Sequence, residues 1–423
     1  MSQPVGKSNA VKPMSVLFLQ GLASPFYKVL ADKLTDAGAT CHRVNYCGGD
    51  IWFGKFGRHK IETTRFQQPH EYLPVFYEEL IKEKRITDVI LFGDCRPIHQ
   101  PVFPIAEKLN VRVHVFEEGY TRPNYVTLET GGTNANSPLP HSKEAVEARA
   151  KTLKETGALD NQTDRPTLPN PMGARVRMDL MFHLSNILCC MHFRNYQTHR
   201  PEKVSAEAKG WVNRFIRKQA YKKANSQALA YYAKPTDRYF MVPLQLNSDF
   251  QIRNHSDYES VPDFIDEVIA SFAKAAPNGM RLLFKNHPLD NGMIDYRNLI
   301  ELAALRHGVT GLIDYVEGGD LDKILKRAEG VVLINSTVGY AALKQNAPIK
   351  VMGRAIYDMK GLTFQGPLDD FWPNAKAPDT LFINNFLRVV RADSQLYGDF
   401  FTPTGIELAA SAAVTRLMNR KKQ

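Results

Sequence analysis

The chain has 423 residues, 43% of them hydrophobic and 23% charged, a balance that excludes a disordered or fibrous protein and leaves room for two or three domains with full cores. No apolar run approaches the roughly 18–20 residues that cross a bilayer, and residues 1–13 lack the apolar centre of a secretory signal, so a cytoplasmic protein is expected. The net charge of +10 calls for an anionic partner, whether nucleic acid, anionic membrane or phosphorylated substrate. Cys41, Cys47, Cys95, Cys189 and Cys190 form no CxxC pair and are expected as reduced thiols.

Val16-Leu17-Phe18-Leu19 predicts a buried strand, followed by a turn over 20–25 and a helix over 25–36 with Phe26, Leu30 and Leu34 on one face. A second strand runs through Cys41 to Val44, completing a βαβ beginning. Only one glycine precedes the helix, so GxGxxG is absent and the turn, with Gly21 and Ser24, suits a sugar or lipid headgroup. A helix over 71–83 leads to a strand over 88–92 ending in Gly93-Asp94-Cys95-Arg96, and a helix over 101–109 follows. Val113-His114-Val115-Phe116 is predicted as a strand that ends where Glu117, Glu118 and Gly119 begin, because adjacent carboxylates are costly inside a sheet. The C-terminal edge of an open α/β sheet faces the ligand crevice, so two acids there form an acid/base station. Like charges side by side push one pKa toward a usable proton acceptor. A solvated strand-to-loop junction is the plainer alternative.

Residues 130–171 are rich in Gly, Asn, Pro and Ser and predict an irregular excursion with a short helix near 143–156. Val176, Leu180, Leu184, Ile187 and Met191 then recur at helical spacing. From Arg194 to Lys234 many cations face two acids, Glu202 and Glu207, with Trp211, Phe215, Tyr221, Tyr231 and Tyr232 interleaved. Such a segment can lie on anionic lipid, or be a packed arm with a solvated basic face. A second α/β unit has strands over 239–244, 281–284 and 330–334. Their ends carry Gln245, Lys285-Asn286-His287-Pro288 and Asn335-Ser336-Thr337; Glu317-Gly318-Gly319-Asp320 opens another helix. Hydroxyls and free backbone N–H groups at a helix start attract an anion, and His287 can donate to the same phosphate and, if protonated, protonate it on departure. Singly, Ser336 also reads as an ordinary N-cap and His287 as a satisfied turn residue. Alternating elements give a doubly wound α/β architecture of two Rossmann-like halves facing a cleft. The boundaries expected are 14–235 (with the basic helical segment 174–235), 236–395, and a C-terminal helix with a basic tail over 396–423.

The order Glu-Glu-Gly, His-Pro, Ser-Thr across two such halves resembles bacterial glycosyltransferases that use CMP-activated octulosonic or nonulosonic sugars. Phe116-Glu117-Glu118-Gly119-Tyr120-Thr121-Arg122-Pro123, Lys285-Asn286-His287-Pro288 and Asn335-Ser336-Thr337-Val338-Gly339 resemble more narrowly the capsule polysaccharide β-Kdo transferases of the KpsS/LipB type. The likeness spans roughly 16–363. It implies a GT-B fold, a CMP-Kdo donor, a lysophosphatidylglycerol acceptor at the inner-membrane surface, and neighbours in capsule biosynthesis or export. It further implies that Glu117 and Glu118 handle the acceptor proton. Lys285, His287, Pro288, Gly318, Gly319, Asn335, Ser336 and Thr337 would bind CMP; Gly21, Ser24, Asp94, Arg122 and Gln245 would touch sugar or acceptor. Retention of configuration, as in related enzymes, would call for a carboxylate nucleophile, placed at Asp249. No cofactor or metal is implied, because a monophosphate leaving group presents no diphosphate to bridge, and Asp369-Asp370 is read as surface acidity. The rival readings are another GT-B sugar-nucleotide enzyme, such as an epimerase or NDP-sugar transferase, and a non-catalytic scaffold of capsule export. Nucleic acid is set aside because the basic residues cluster away from any recognition motif.

Overall fold

The computed structural model describes residues 13–55, 57–157, 165–198, 204–234, 237–247 and 250–419. Its first sheet uses β1 (Ser15–Phe18), β2 (Thr40–Asn45), β3 (Glu62–Arg65), β4 (Asp88–Phe92), β5 (Arg112–Glu118) and β6 (Tyr125–Thr130), with α1 (Phe26–Asp36), α2 (Gly48–Gly54), α3 (Leu73–Glu83) and α4 (Val102–Lys108) between them. Next come α5 (Lys143–Glu155), α6 (Met172–Leu188), α7 (Val204–Ala220) and α8 (Lys222–Tyr231). The second sheet uses β7 (Tyr239–Pro243), β8 (Arg281–Lys285), β9 (Ile313–Val316), β10 (Gly330–Leu333) and β11 (Ile349–Val351). Its helices are α9 (Phe250–His255), α10 (Val261–Ala275), α11 (Tyr296–Arg306), α12 (Leu321–Arg327) and α13 (Val338–Lys344). The chain ends through α14 (Leu368–Asn374), α15 (Thr380–Ser394), β12 (Gln395–Tyr397) and α16 (Pro403–Met418).

Strand order is β12-β6-β5-β4-β1-β2-β3 in the first sheet and β11-β10-β7-β8-β9 in the second. β1 to β5 and β7 to β11 are parallel, whereas β6 and β12 are antiparallel. Each parallel set therefore has the same doubly wound order, with a topological switch point between β1 and β4 and another between β7 and β10. These are the two Rossmann-like halves of a GT-B fold, and ligands of such sheets bind beyond strand C-termini at the switch points. α10 illustrates how sequence sets an element: Ser260 accepts from the Asp263 N–H as N-cap, and Phe264, Ile265, Val268, Ile269 and Phe272 make one buried face. Among the described residues no helix is long and apolar enough to cross a membrane.

Three expectations change. β5 continues through Glu117 and Glu118, because β6 turns back antiparallel and pairs Glu117 with Thr127 and Glu118 with Val126. The ladder satisfies their backbone while both side chains border a cavity, so the carboxylates need not end the strand. The stretch 130–171 is not merely an excursion: α5, capped by Ser142, puts Val146, Ala150 and Leu153 into one core with Tyr239, Leu283 and Phe386. The chain also crosses back at its end. β12 pairs with β6, and α16 packs on α1, closing the first sheet's core with Ile406, Ala409 and Ala413.

Candidate active site between the two sheets

On the first sheet, a cavity of about 190 Å³ lies at the β1/β4 switch point, lined by Gly21, Arg96, Glu117, Glu118, Arg175 and Asp179 among others. Gly21 is required for packing, since a Cβ there would meet the Tyr27 ring at 2.9 Å. Arg96 Nη1 donates to the Gly21 carbonyl at 3.0 Å. Burial pushes the Glu117 carboxyl up to about 7, against the pull of the Glu118 N–H and the Arg96 guanidinium; the neighbouring Glu118 charge adds a smaller upward push. Desolvation, rather than the like-charge repulsion expected from sequence, is thus the main cause. Glu118 Oε1 instead accepts from Arg175 Nη1 at 2.9 Å, and that guanidinium lies over the Phe401 ring. Adjacent in sequence, the two glutamates have different surroundings.

Other first-sheet candidates have structural partners. Asp94 is buried and accepts from the Thr133 N–H (3.0 Å) and Asn136 Nδ2 (3.0 Å), tying the loop after β6 to β4. Ser24 Oγ donates to the Phe400 carbonyl and accepts from the Phe26 N–H, so it fixes the start of α1. Arg122 Nε donates to the Gly119 carbonyl at 3.3 Å.

On the second sheet, the switch point is bridged by a reciprocal amide pair. Gln245 Nε2 donates to Asn335 Oδ1 (2.9 Å) and the Asn335 N–H donates to Gln245 Oε1 (3.1 Å). Ser336 Oγ accepts from the Val338 N–H, and its carbonyl accepts from the Tyr357 hydroxyl at 2.6 Å. Thr337 is the N-cap residue of α13 and makes no side-chain cap bond. His287 Nδ1 accepts from the Leu289 N–H at 3.1 Å, which leaves its proton on Nε2. Burial and the charges of Arg122, Lys285, Arg214 and Arg175 hold its pKa at about 4. His287 is therefore a neutral Nε2–H donor at pH 7, which suits donation to a phosphate. Two of those cations, Arg122 and Arg175, belong to the first half of the chain, which puts the His287 turn within electrostatic reach of the Glu117 cavity wall. Burial lowers the pKa of the Lys285 ammonium.

Arg214 Nη1 donates to the Pro288 carbonyl at 3.1 Å and Nη2 to that of His287 at 3.2 Å, clamping this turn. Gly318 and Gly319 follow β9, two strands from the switch point. Both have positive φ, and a Cβ on Gly319 would strike Leu229 of α8 at 2.7 Å, so packing accounts for that glycine. Asp249 lies outside the described residues. The two halves also meet at a stacked Tyr120–Tyr340 pair, 5.2 Å between ring centroids, and at Cys95 Sγ and His255 Nε2, 3.2 Å apart.

A family profile described as "Capsule polysaccharide biosynthesis protein" matches residues 87–401. The chain belongs to this capsule polysaccharide biosynthesis family. It is 34% identical over 394 residues to the Escherichia coli capsule polysaccharide export protein KpsS, covering 91% of this chain and 96% of that protein. It is 32% identical over 418 residues to the capsule polysaccharide modification protein LipB of Neisseria meningitidis serogroup B, covering 95% and 97%. Among solved structures, the β Kdo 2,7 transferase of Thermosulfurimonas dismutans KpsC aligns over 96% of this chain and 99% of that one, at 14% identity and a TM-score of 0.43.

The Glu117 cavity and the His287 turn bring a carboxyl pushed up toward neutrality near several cations and N–H donors, an arrangement suited to proton abstraction beside an anionic leaving group. The sequence marks Arg96 only as part of a strand end and Arg214 only as one cation of the basic segment 194–234, whereas Arg214 is buried on the His287 turn; no local spacing marks Arg175.

Proposed function

We propose that this capsule-family protein is a glycosyltransferase that moves Kdo from CMP-Kdo to a lysophosphatidylglycerol acceptor, starting the poly-Kdo linker of a capsular polysaccharide at the cytoplasmic face of the inner membrane. The observation that carries the reading is the placement of Glu117 at the first switch-point cavity, where desolvation pushes its carboxyl up to about 7, with Arg175 of the same cavity within electrostatic reach of the neutral donor His287. In this reading Glu117 accepts the proton of the attacking hydroxyl, and the Glu118–Arg175 pair fixes that wall. Lys285, the His287 Nε2–H, Asn335, Ser336 and Thr337 hold the CMP phosphate. An anionic phosphate would offset the four cations that depress His287 and raise its pKa, making it an acid for the departing group. Asp249 is kept as the nucleophile of a retaining mechanism.

The test is incubation with CMP-Kdo and a fluorescent lysophosphatidylglycerol, read by product mass; an increase of one Kdo is expected. His287→Ala and Ser336→Ala should each weaken CMP binding, with the double variant losing less than the sum. Donor alone should leave a Kdo-sized adduct that Asp249→Asn abolishes. Binding of UDP in place of CMP would move the protein to another sugar-nucleotide class. Capsule loss in cells without the protein, paired with no transfer to any acceptor and no CMP binding, would make it an export scaffold.

A further inference from the structure

We infer that the outward face of α6, joined by that of α7, docks this protein onto an anionic phospholipid bilayer and so holds the crevice against the lipid surface; the inference deepens the lipid-acceptor reading above and rests on it. Helices of soluble domains turn their apolar stripe inward. α6 does the reverse. Val176, Leu180, Leu184, Ile187 and Leu188 form one stripe on the solvent side, with Leu180 at 65%, Ile187 at 64% and Leu188 at 75% exposure. The opposite side of the same helix is committed to the protein: Arg175, Asp179, Phe182 and His183 line the cavity beside Glu117. Asn186 Oδ1 accepts from the Gly49 N–H at 2.8 Å. The helix cannot roll its leucines inward without emptying that wall.

α7 repeats the pattern on the other side of the crevice. Its Arg214 is buried and clamps the His287 turn, while Trp211, Val212, Phe215 and Ile216 are exposed. An exposed run of large apolar side chains along one helix face marks an interaction surface. Charge chooses the occupant. The exposed cations Arg177, Lys218, Lys222 and Lys223 stand on or beside these faces, and the acids of 172–191 and 204–234 are Asp179, which is in the cavity, and Glu207. An apolar stripe with a basic rim and Trp and Tyr at its margins is the pattern of a helix lying in the plane of an anionic membrane interface. This places the primary contact on α6, ahead of the basic segment that the sequence alone suggests.

The full chain should float with vesicles of phosphatidylglycerol and phosphatidylcholine, and less with phosphatidylcholine alone. Replacing Leu180, Leu184 and Ile187 together by Glu should lower vesicle affinity roughly a hundredfold and leave transfer to detergent-dispersed lysophosphatidylglycerol intact. A Leu184→Trp variant, which keeps the face apolar, should show a blue shift of its emission on the mixed vesicles. Unchanged flotation of the triple variant, or no shift for Leu184→Trp, overturns the inference. Loss of a dimer in the triple variant, with no vesicle binding by the parent, would assign the face to a second copy and equally overturn it. Transfer to dispersed acceptor without vesicle binding sinks the docking face and leaves the acceptor reading standing. Vesicle binding through α6 with no use of any lysolipid does the opposite.

Discussion

At the scale of single residues, the crevice separates two glutamates that are chemically identical in the unfolded chain. Glu118 faces a guanidinium, while Glu117 is half-buried at the cavity and desolvation pushes its carboxyl up to about 7. A base must be deprotonated to act, so turnover at saturating donor should rise with pH through about 7 and level off above it. Glu117→Gln should remove that limb and lower kcat by roughly 10²- to 10⁴-fold, the usual worth of a general base. A pH profile of kcat for both proteins checks this. Persistence of the limb in Glu117→Gln would hand the titration to another group.

Among elements, the contact of α2 with α6 is what positions the cavity wall. A Cβ on Gly48 would lie 2.0 Å from the Ser185 carbonyl oxygen, and one on Gly49 would lie 2.1 Å from the Phe182 ring. Both glycines are therefore needed for close approach, not for an unusual φ. Gly49→Ala should cost about 1–3 kcal/mol by overpacking and, because α6 carries Arg175 and Asp179, should reduce kcat/KM by a larger factor than the melting shift implies. Gly173, on the same helix, has nothing within 4 Å of its hypothetical Cβ. Gly173→Ala should leave kcat/KM unchanged and Tm level or slightly raised. Thermal melts and steady-state kinetics on the pair separate displacement of the helix from general destabilisation.

For the whole molecule, the two halves share a core in which Tyr120 stacks on Tyr340, and Glu129 lies buried beside it. Neither Glu129 oxygen has a hydrogen-bond partner of good geometry, although the Tyr120 and Ser137 hydroxyls stand nearby. Burial raises its pKa from 4.5 to about 7. The folded state therefore binds the proton more tightly than the unfolded chain. Stability is fully retained below the unfolded pKa and falls as pH rises through about 7, by up to about 3 kcal/mol at this site. Glu129→Gln should flatten that decline, so the variant's advantage over the parent should grow between pH 5 and pH 8 in denaturant melts. A parallel pH dependence in both proteins would show that the interface carboxyl does not carry it.

Much of this architecture is local and was legible in the residues. Strand and helix periods depend on neighbours a few positions apart, so β4, β7, α10 and the polar strand ends with Glu117, His287 and Ser336 could be marked before any fold was known. Parallel strands send those ends to one edge, which is why scattered motifs share a crevice. Pairings of distant segments had no such signal. β6 and β12 owe their place to antiparallel partners, α16 returns to the first sheet after the second is complete, and Arg175 and Arg214 reach the site only through packing. The Arg175 partner that Glu118 has and Glu117 lacks, and the desolvation of the Glu117 carboxyl, are likewise properties of the assembled sheets. The spacing of Leu180, Leu184 and Ile187 established that α6 has an apolar face. Periodicity has no inside or outside, however, and only the packing of its other face on α2 and the cavity decided that this one points to solvent.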